Sequence, residues 1–283
     1  MTKARTVATL LASFALTAGL PAQSWRTVTT ARQLHDVDSL KVRVDYGVGT
    51  LRLASSPRAL LYDVQLRYDE EKFAAVRSFD TGSTTLTVGT RQLDERNTVI
   101  SGRKQLGEMS LAFAPNVYLD IDLQTGASLA DLDFTGLSIT RLVVNSGASE
   151  TKFRFGTPNP AALRELVIEV GAASVEGRQL GNAGADRVSV ECGVGNVDLD
   201  FSGVWARDMT VALDVAVGGV TLRIPRDIGV RIQLDKVLAS FKKDGLERRG
   251  DSYYNAAWDT TSRKLTIGAS TVLGSLNVDW IGR

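Results

Sequence analysis

The sequence predicts an all-β chain: a parallel β-helix, or solenoid, of about 22 residues per coil, capped by antiparallel strands at both ends. Three observations predict it. Five stretches between Ile121 and Ile224 align on one another without a gap. Each holds an alternating apolar strand, a corner of small residues and a second alternating strand. The composition agrees, since 26 glycines with only 7% aromatic residues suit layered strands joined at tight corners.

The corners are Gly126-Ala127-Ser128, Gly147-Ala148-Ser149, Gly171-Ala172-Ala173, Gly193-Val194-Gly195 and Ala216-Val217-Gly218. Five positions before the last residue of each stand Leu123, Val144, Ile168, Val190 and Leu213. Four positions after it stand Leu132, Phe153, Gly177, Leu199 and Leu222. Columns of this kind, spaced by two, are the inward faces of strands, and stacking turns each into a core ladder. Cys192 falls in the column of Thr125, Ser146, Val170 and Val215, which predicts a small, buried, inert thiol. Being the only cysteine, it allows no internal disulfide.

The outward columns carry charge. Three past the corner stand Asp131, Lys152, Glu176, Asp198 and Thr221; five past stand Asp133, Arg154, Arg178, Asp200 and Arg223. Opposite charges on adjacent strands support register, each exposed pair contributing roughly 0.2–1 kcal/mol.

Segments of different character flank the coils. Lys3 and Arg5 precede an apolar run that ends near Pro21-Ala22, the pattern of a secretory signal peptide over 1–22 cut after Ala22. Residues 23–39 read as a polar leader that contains His35, the only histidine. The segment 40–115 opens with Val42, Val44 and Tyr46, then the corner Gly47-Val48-Gly49, as a further, separated coil. Antiparallel strands follow at 61–68, 74–79 and 84–89, and a polar loop at 90–109. The coils occupy 116–237, and 238–283 holds a capping hairpin and a last coil strand with Leu276, Val278 and Trp280 inward.

Charge and motifs narrow the function. Without Lys3 and Arg5, 31 basic side chains face 32 acidic ones, so no basic field exists to hold nucleic acid or anionic lipid. After signal cleavage nothing remains that inserts stably into a membrane, and the protein is expected to be exported, periplasmic or extracellular. One histidine and one buried cysteine make neither a usual zinc site nor a Ser-His-Asp triad, and no cofactor is implied. The run Gly193-Val194-Gly195-Asn196-Val197-Asp198 starts like a dinucleotide fingerprint but lacks the third glycine and a following helix.

Two sets of residues are candidate binding groups. Asp198 and Asp200, like Asp131 and Asp133, project from one strand face about 7 Å apart, as the outward acids of polysaccharide-cleaving β-helices do. Their basic neighbours Lys152, Arg154, Arg178 and Arg223 offer the plainer reading of a solvated, paired face. Trp205 in the loop 202–208, with Tyr253, Tyr254 and Trp258 near the C-terminus, could stack on sugar rings, anchor a partner or close the end of the core.

The run Gly218-Gly219-Val220-Thr221-Leu222-Arg223-Ile224-Pro225-Arg226-Asp227-Ile228-Gly229-Val230-Arg231 resembles a signature of toast-rack proteins, related to the LiaF-like C-terminal domain. Tyr46-Gly47-Val48-Gly49-Thr50-Leu51 is similar to that family's opening strand, and Gly274-Ser275-Leu276-Asn277-Val278 to its close. The resemblance implies a bacterial envelope protein with a single-chain β-solenoid and no catalytic residues to carry over. Membrane-bound LiaF-type relatives regulate responses to cell-wall-active antibiotics; this sequence departs from them in having a signal peptide and no transmembrane bundle. The expected function is a non-enzymatic binding or scaffold module of the envelope, linked to the stress response and partnered by an envelope protein or a glycan. The alternatives are adhesin-like polysaccharide binding and a polysaccharide-cleaving enzyme.

Overall fold

A computed structural model describes residues 24–93, 106–235 and 240–282. Its strands, in chain order, are β1 (Trp25–Gln33), β2 (Ser39–Ser55), β3 (Leu60–Asp69), β4 (Phe73–Asp80), β5 (Thr85–Gln92) and β6 (Gly107–Phe113). Then come β7 (Tyr118–Asp133), β8 (Ser138–Arg154), β9 (Leu163–Arg178), β10 (Ala185–Asp200), β11 (Met209–Pro225) and β12 (Gly229–Asp235). The last are β13 (Ser240–Lys242), β14 (Glu247–Arg249), β15 (Ser252–Tyr254) and β16 (Lys264–Ile281). Seven of them, β2, β7 to β11 and β16, are long, bent and parallel, and lie side by side in that order.

The bend follows from the corner. Leu123 and Ala130 are seven positions apart, so in a regular strand they would face opposite sides. At the corner one residue leaves the ladder: Thr125 pairs with Ser146 and Ala127 with Ala148, while Gly126 and Gly147 lie between. The extra residue acts as a bulge and returns both halves to the core side. Corner residues then stack so closely that a side chain would not fit. A Cβ on Gly171 would lie 2.7 Å from the carbonyl oxygen of Gly147, and one on Gly193 2.6 Å from that of Gly171.

Between the strand halves runs one continuous apolar core. Ile121, Leu142, Leu166 and Val188 stack before the corner; Leu132, Phe153, Leu199 and Leu222 stack after it. Phe134 and Phe155 stack ring on ring, 5.1 Å between centroids. Gly177 interrupts its column because Phe153 fills the space: a Cβ there would sit 2.5 Å from the Phe153 ring. Cys192 is 3% exposed, and burial pushes its thiol upward, as its column predicts.

The third side of the coil is made of short connections held by asparagines. Asn182 Nδ2 donates to the Phe155 carbonyl at 2.8 Å, and its Oδ1 accepts from Val204 N at 2.7 Å. Asn255 joins Val230 and Ile228 in the same way, and Asn159 joins Ile139 to Ala183. Each of these amides thus satisfies backbone groups that turned away from the sheet ladder.

Both ends of the stack split. The first half of β2 pairs with β5 and its second half with β6. The first half of β16 pairs with β12 and its second half with β13. Antiparallel strands complete each end: β3, β1 and β4 at one, β15 and β14 at the other. The capping strands and the separated coil at Gly47-Val48-Gly49 match the sequence reading. Three expectations need correction. The segment read as a polar leader contains β1, whose alternation is weak because it is an edge strand packing little more than Val28 on the core. The stretch read as a polar loop at 90–109 is strand at both ends, where β5 runs to Gln92 and β6 starts at Gly107, while 94–105 lie outside the described residues. The last coil strand starts at Lys264, since Leu265, Ile267 and Ala269 supply a full first half. The signal peptide at 1–22 lies outside the described residues.

Candidate functional site

The outer face of the second strand halves is closed by ion pairs. Asp133 accepts from Arg154 Nη2 at 2.5 Å and from the Thr135 amide at 3.0 Å. Burial pushes the Asp133 carboxyl up, but the Arg154 and Thr135 bonds outweigh it and hold it below the usual range. Asp198, a predicted binding residue, is held by both terminal nitrogens of Arg223 at 2.5 and 2.8 Å. Asp200, the other, accepts from the Ser202 amide at 2.8 Å and its hydroxyl at 3.0 Å. Glu176 pairs with Arg178, and Glu150 with Lys152.

The predicted aromatics form separate half-buried contacts. Trp205 donates its Nε1 proton to the Phe201 carbonyl at 3.0 Å and packs on the core. Tyr253 meets Phe241 edge-on, 5.0 Å between centroids. Tyr254 meets Trp258 edge-on at 5.4 Å, with Arg249 over the first ring and Lys264 over the second. Arg263 Nε donates to the Trp205 carbonyl, so the residues at the start of β16 touch both tryptophan segments. His35 is exposed just after β1, beside Gln33.

A further open feature lies elsewhere. Along the bend runs a groove of about 800 Å³ across six adjacent strands. Its floor is the bare corner backbone of Gly47, Gly126, Gly147, Gly171, Gly193 and Ala216. Its wall is one outward column: Asp45, Gln124, Asn145, Glu169, Glu191 and Asp214. Glu169 pairs in register with Glu191, and Glu191 with Asp214. Among the described residues these four acids make no salt bridge, and Asn145 Oδ1 is shielded from solvent without a hydrogen-bond donor. Beside the column, Val194, Val217 and Leu273 stand in register on neighbouring strands, 56%, 42% and 53% exposed.

Reasoning from acid pairs along one strand misses this row, because its members are a whole coil apart in sequence. The signal that finds it is the column four positions before the last corner residue, which carries acids and amides but no cation. Among the described residues no group of three His, Cys, Asp or Glu side chains is arranged to hold a metal ion, and no helix is long and apolar enough to cross a membrane.

The family described as the N-terminal domain of toast_rack, DUF2154, matches residues 22–176, more than half of the chain. The chain belongs to the toast-rack family. The match ends inside β9, so it takes in the N-terminal cap and the first stacked strands of this toast-rack protein. Among solved structures, the chain is similar to a proposed cell adhesion protein from Clostridium sporogenes, at 16% identity and TM-score 0.48, covering 91% of this chain and 100% of that one. It is also similar to a proposed adhesin from Bacteroides fragilis, at 10% identity and TM-score 0.40, covering 90% and 98%. No curated protein matches it.

Proposed function

We propose that this toast-rack chain is a non-enzymatic binding module, exported to the periplasm or cell exterior and acting within the envelope stress response. Its binding face is the groove along the bend. One observation carries the reading: the groove repeats the same chemistry strand after strand, with an open backbone floor and acids that make no salt bridge among the described residues. Catalysis gathers its groups around one reacting atom, as a pair of carboxylates does in glycosidases. A repeated row suits a partner that is itself extended. The opposite case is the face of Asp198 and Asp200, whose carboxylates are already engaged by Arg223 and Ser202.

The test is cosedimentation with an envelope fraction from the source bacterium. A Glu169→Lys, Glu191→Lys, Asp214→Lys variant should lose it. The same charge change on the paired face, Asp131→Lys, Glu150→Lys, Glu176→Lys, should keep it. Equal retention or equal loss in the two variants would contradict the groove as the binding face.

A further inference from the structure

Glu169, Glu191 and Asp214 stand opposite one another on β9, β10 and β11. Neighbouring strands lie about 4.8 Å apart, and like charges opposite one another are destabilising. Elsewhere like charges also meet in register, as Glu176 does Asp198, but each of those acids has a cation of its own, Arg178 and Arg223. Arg141 sits between Asp120 and Glu165, Arg154 faces Asp133 and Arg223 faces Asp198. Among the described residues, the groove row alone of these outward columns makes no salt bridge. Around its C-terminal part the neighbours are small or apolar: Val167, Ser189 and Ala212 precede Glu169, Glu191 and Asp214 by two on the same outward face, and the exposed ridge of Val194, Val217 and Leu273 follows.

We propose that this groove docks an extended polypeptide segment in which lysine or arginine alternates with aliphatic side chains. The inference rests on the groove being the binding face. Cations of the segment supply the missing counter-charge, and its aliphatic side chains cover the ridge. The length also fits. Six strands about 4.8 Å apart span about 24 Å, the reach of about seven extended residues. A polypeptide suits the groove better than a glycan, because no aromatic ring lines it for sugars to stack on.

Fluorescence anisotropy with the chain lacking residues 1–22 tests this, using a labelled peptide of about eight residues that alternates Lys with Val. Saturable binding is expected, weakening as salt screens the charges. A Glu169→Gln, Glu191→Gln, Asp214→Asn variant should bind about tenfold more weakly or worse, whereas Glu150→Gln with Glu176→Gln should bind as the parent does. The proposal is overturned by absent binding, by equal binding of a control peptide with Glu in place of each Lys, or by binding that survives the groove substitutions. Binding of a chitosan oligomer in place of the peptide would also overturn it. If the peptide fails but cosedimentation still depends on the groove, this inference alone falls; if cosedimentation ignores the groove, so does the reading beneath it.

Discussion

Gly195→Ala is expected to be among the most damaging single substitutions in the chain. Gly195 has φ +152°, and a Cβ there would run into the backbone carbonyl of Ala173 on β9. Neither side can yield, because Gly195 is in register with Ala173 on one strand and Gly218 on the next. Backbone strain alone costs roughly 1–2 kcal/mol at such a position. The clash adds to it, for an expected loss of about 4 kcal/mol or more, a large part of a typical domain's stability of roughly 5–15 kcal/mol. Gly136→Ala separates the two terms: φ is +76° but nothing lies within 4 Å of the added carbon. It should cost only the strain, about 1–2 kcal/mol. Urea unfolding followed by circular dichroism measures both, and similar losses in the two variants would refute the stacking argument.

The second large effect is expected at Asn182. Asn182→Leu keeps the branched shape of the side chain and removes both hydrogen bonds, leaving the Phe155 carbonyl and the Val204 amide without partners. Each buried unsatisfied group costs roughly 1–3 kcal/mol, so a loss of about 2–6 kcal/mol follows. Asn196 is the control, an exposed residue whose Oδ1 accepts a 3.3 Å bond from Gly219. Asn196→Ala should shift the urea midpoint by a small fraction of that. Equal shifts would show that the asparagines of the third side do not hold the coils together.

Why these effects fall where they do also explains what could be read beforehand. The inward ladders are legible because two physical rules coincide in them. Alternation by two marks the strand, and recurrence near 22 residues marks the stack, so Leu123, Val144, Ile168, Val190 and Leu213 announce one another. Gly126, Gly147, Gly171 and Gly193 are legible for the same reason, though only coordinates reveal that each lies against the carbonyl of the coil before. Edges are harder. β1 buries so little that its sequence, Trp-Arg-Thr-Val-Thr-Thr-Ala-Arg-Gln, reads as polar chain. The asparagine staples lie in connections of unequal length, where no fixed period exists to expose them. The groove row was present in the same alignment as the core, but pairs of acids within one strand draw the eye to Asp198 and Asp200 instead. Those two turn out to be satisfied, while the widely separated Glu169, Glu191 and Asp214 are not.

A row of unpaired acids held for binding must reduce the stability of the free protein, and this can be measured without knowing the partner. The decisive comparison is the urea midpoint of Glu191→Gln against the parent at low salt. Glu191 stands between Glu169 and Asp214, so neutralising it relieves two repulsions, each worth roughly 0.2–1 kcal/mol. The midpoint should rise, and the gain should shrink as salt screens the row. A midpoint that falls, or a gain that ignores salt, would mean the row already has its counter-charge within the chain and is not waiting for a partner.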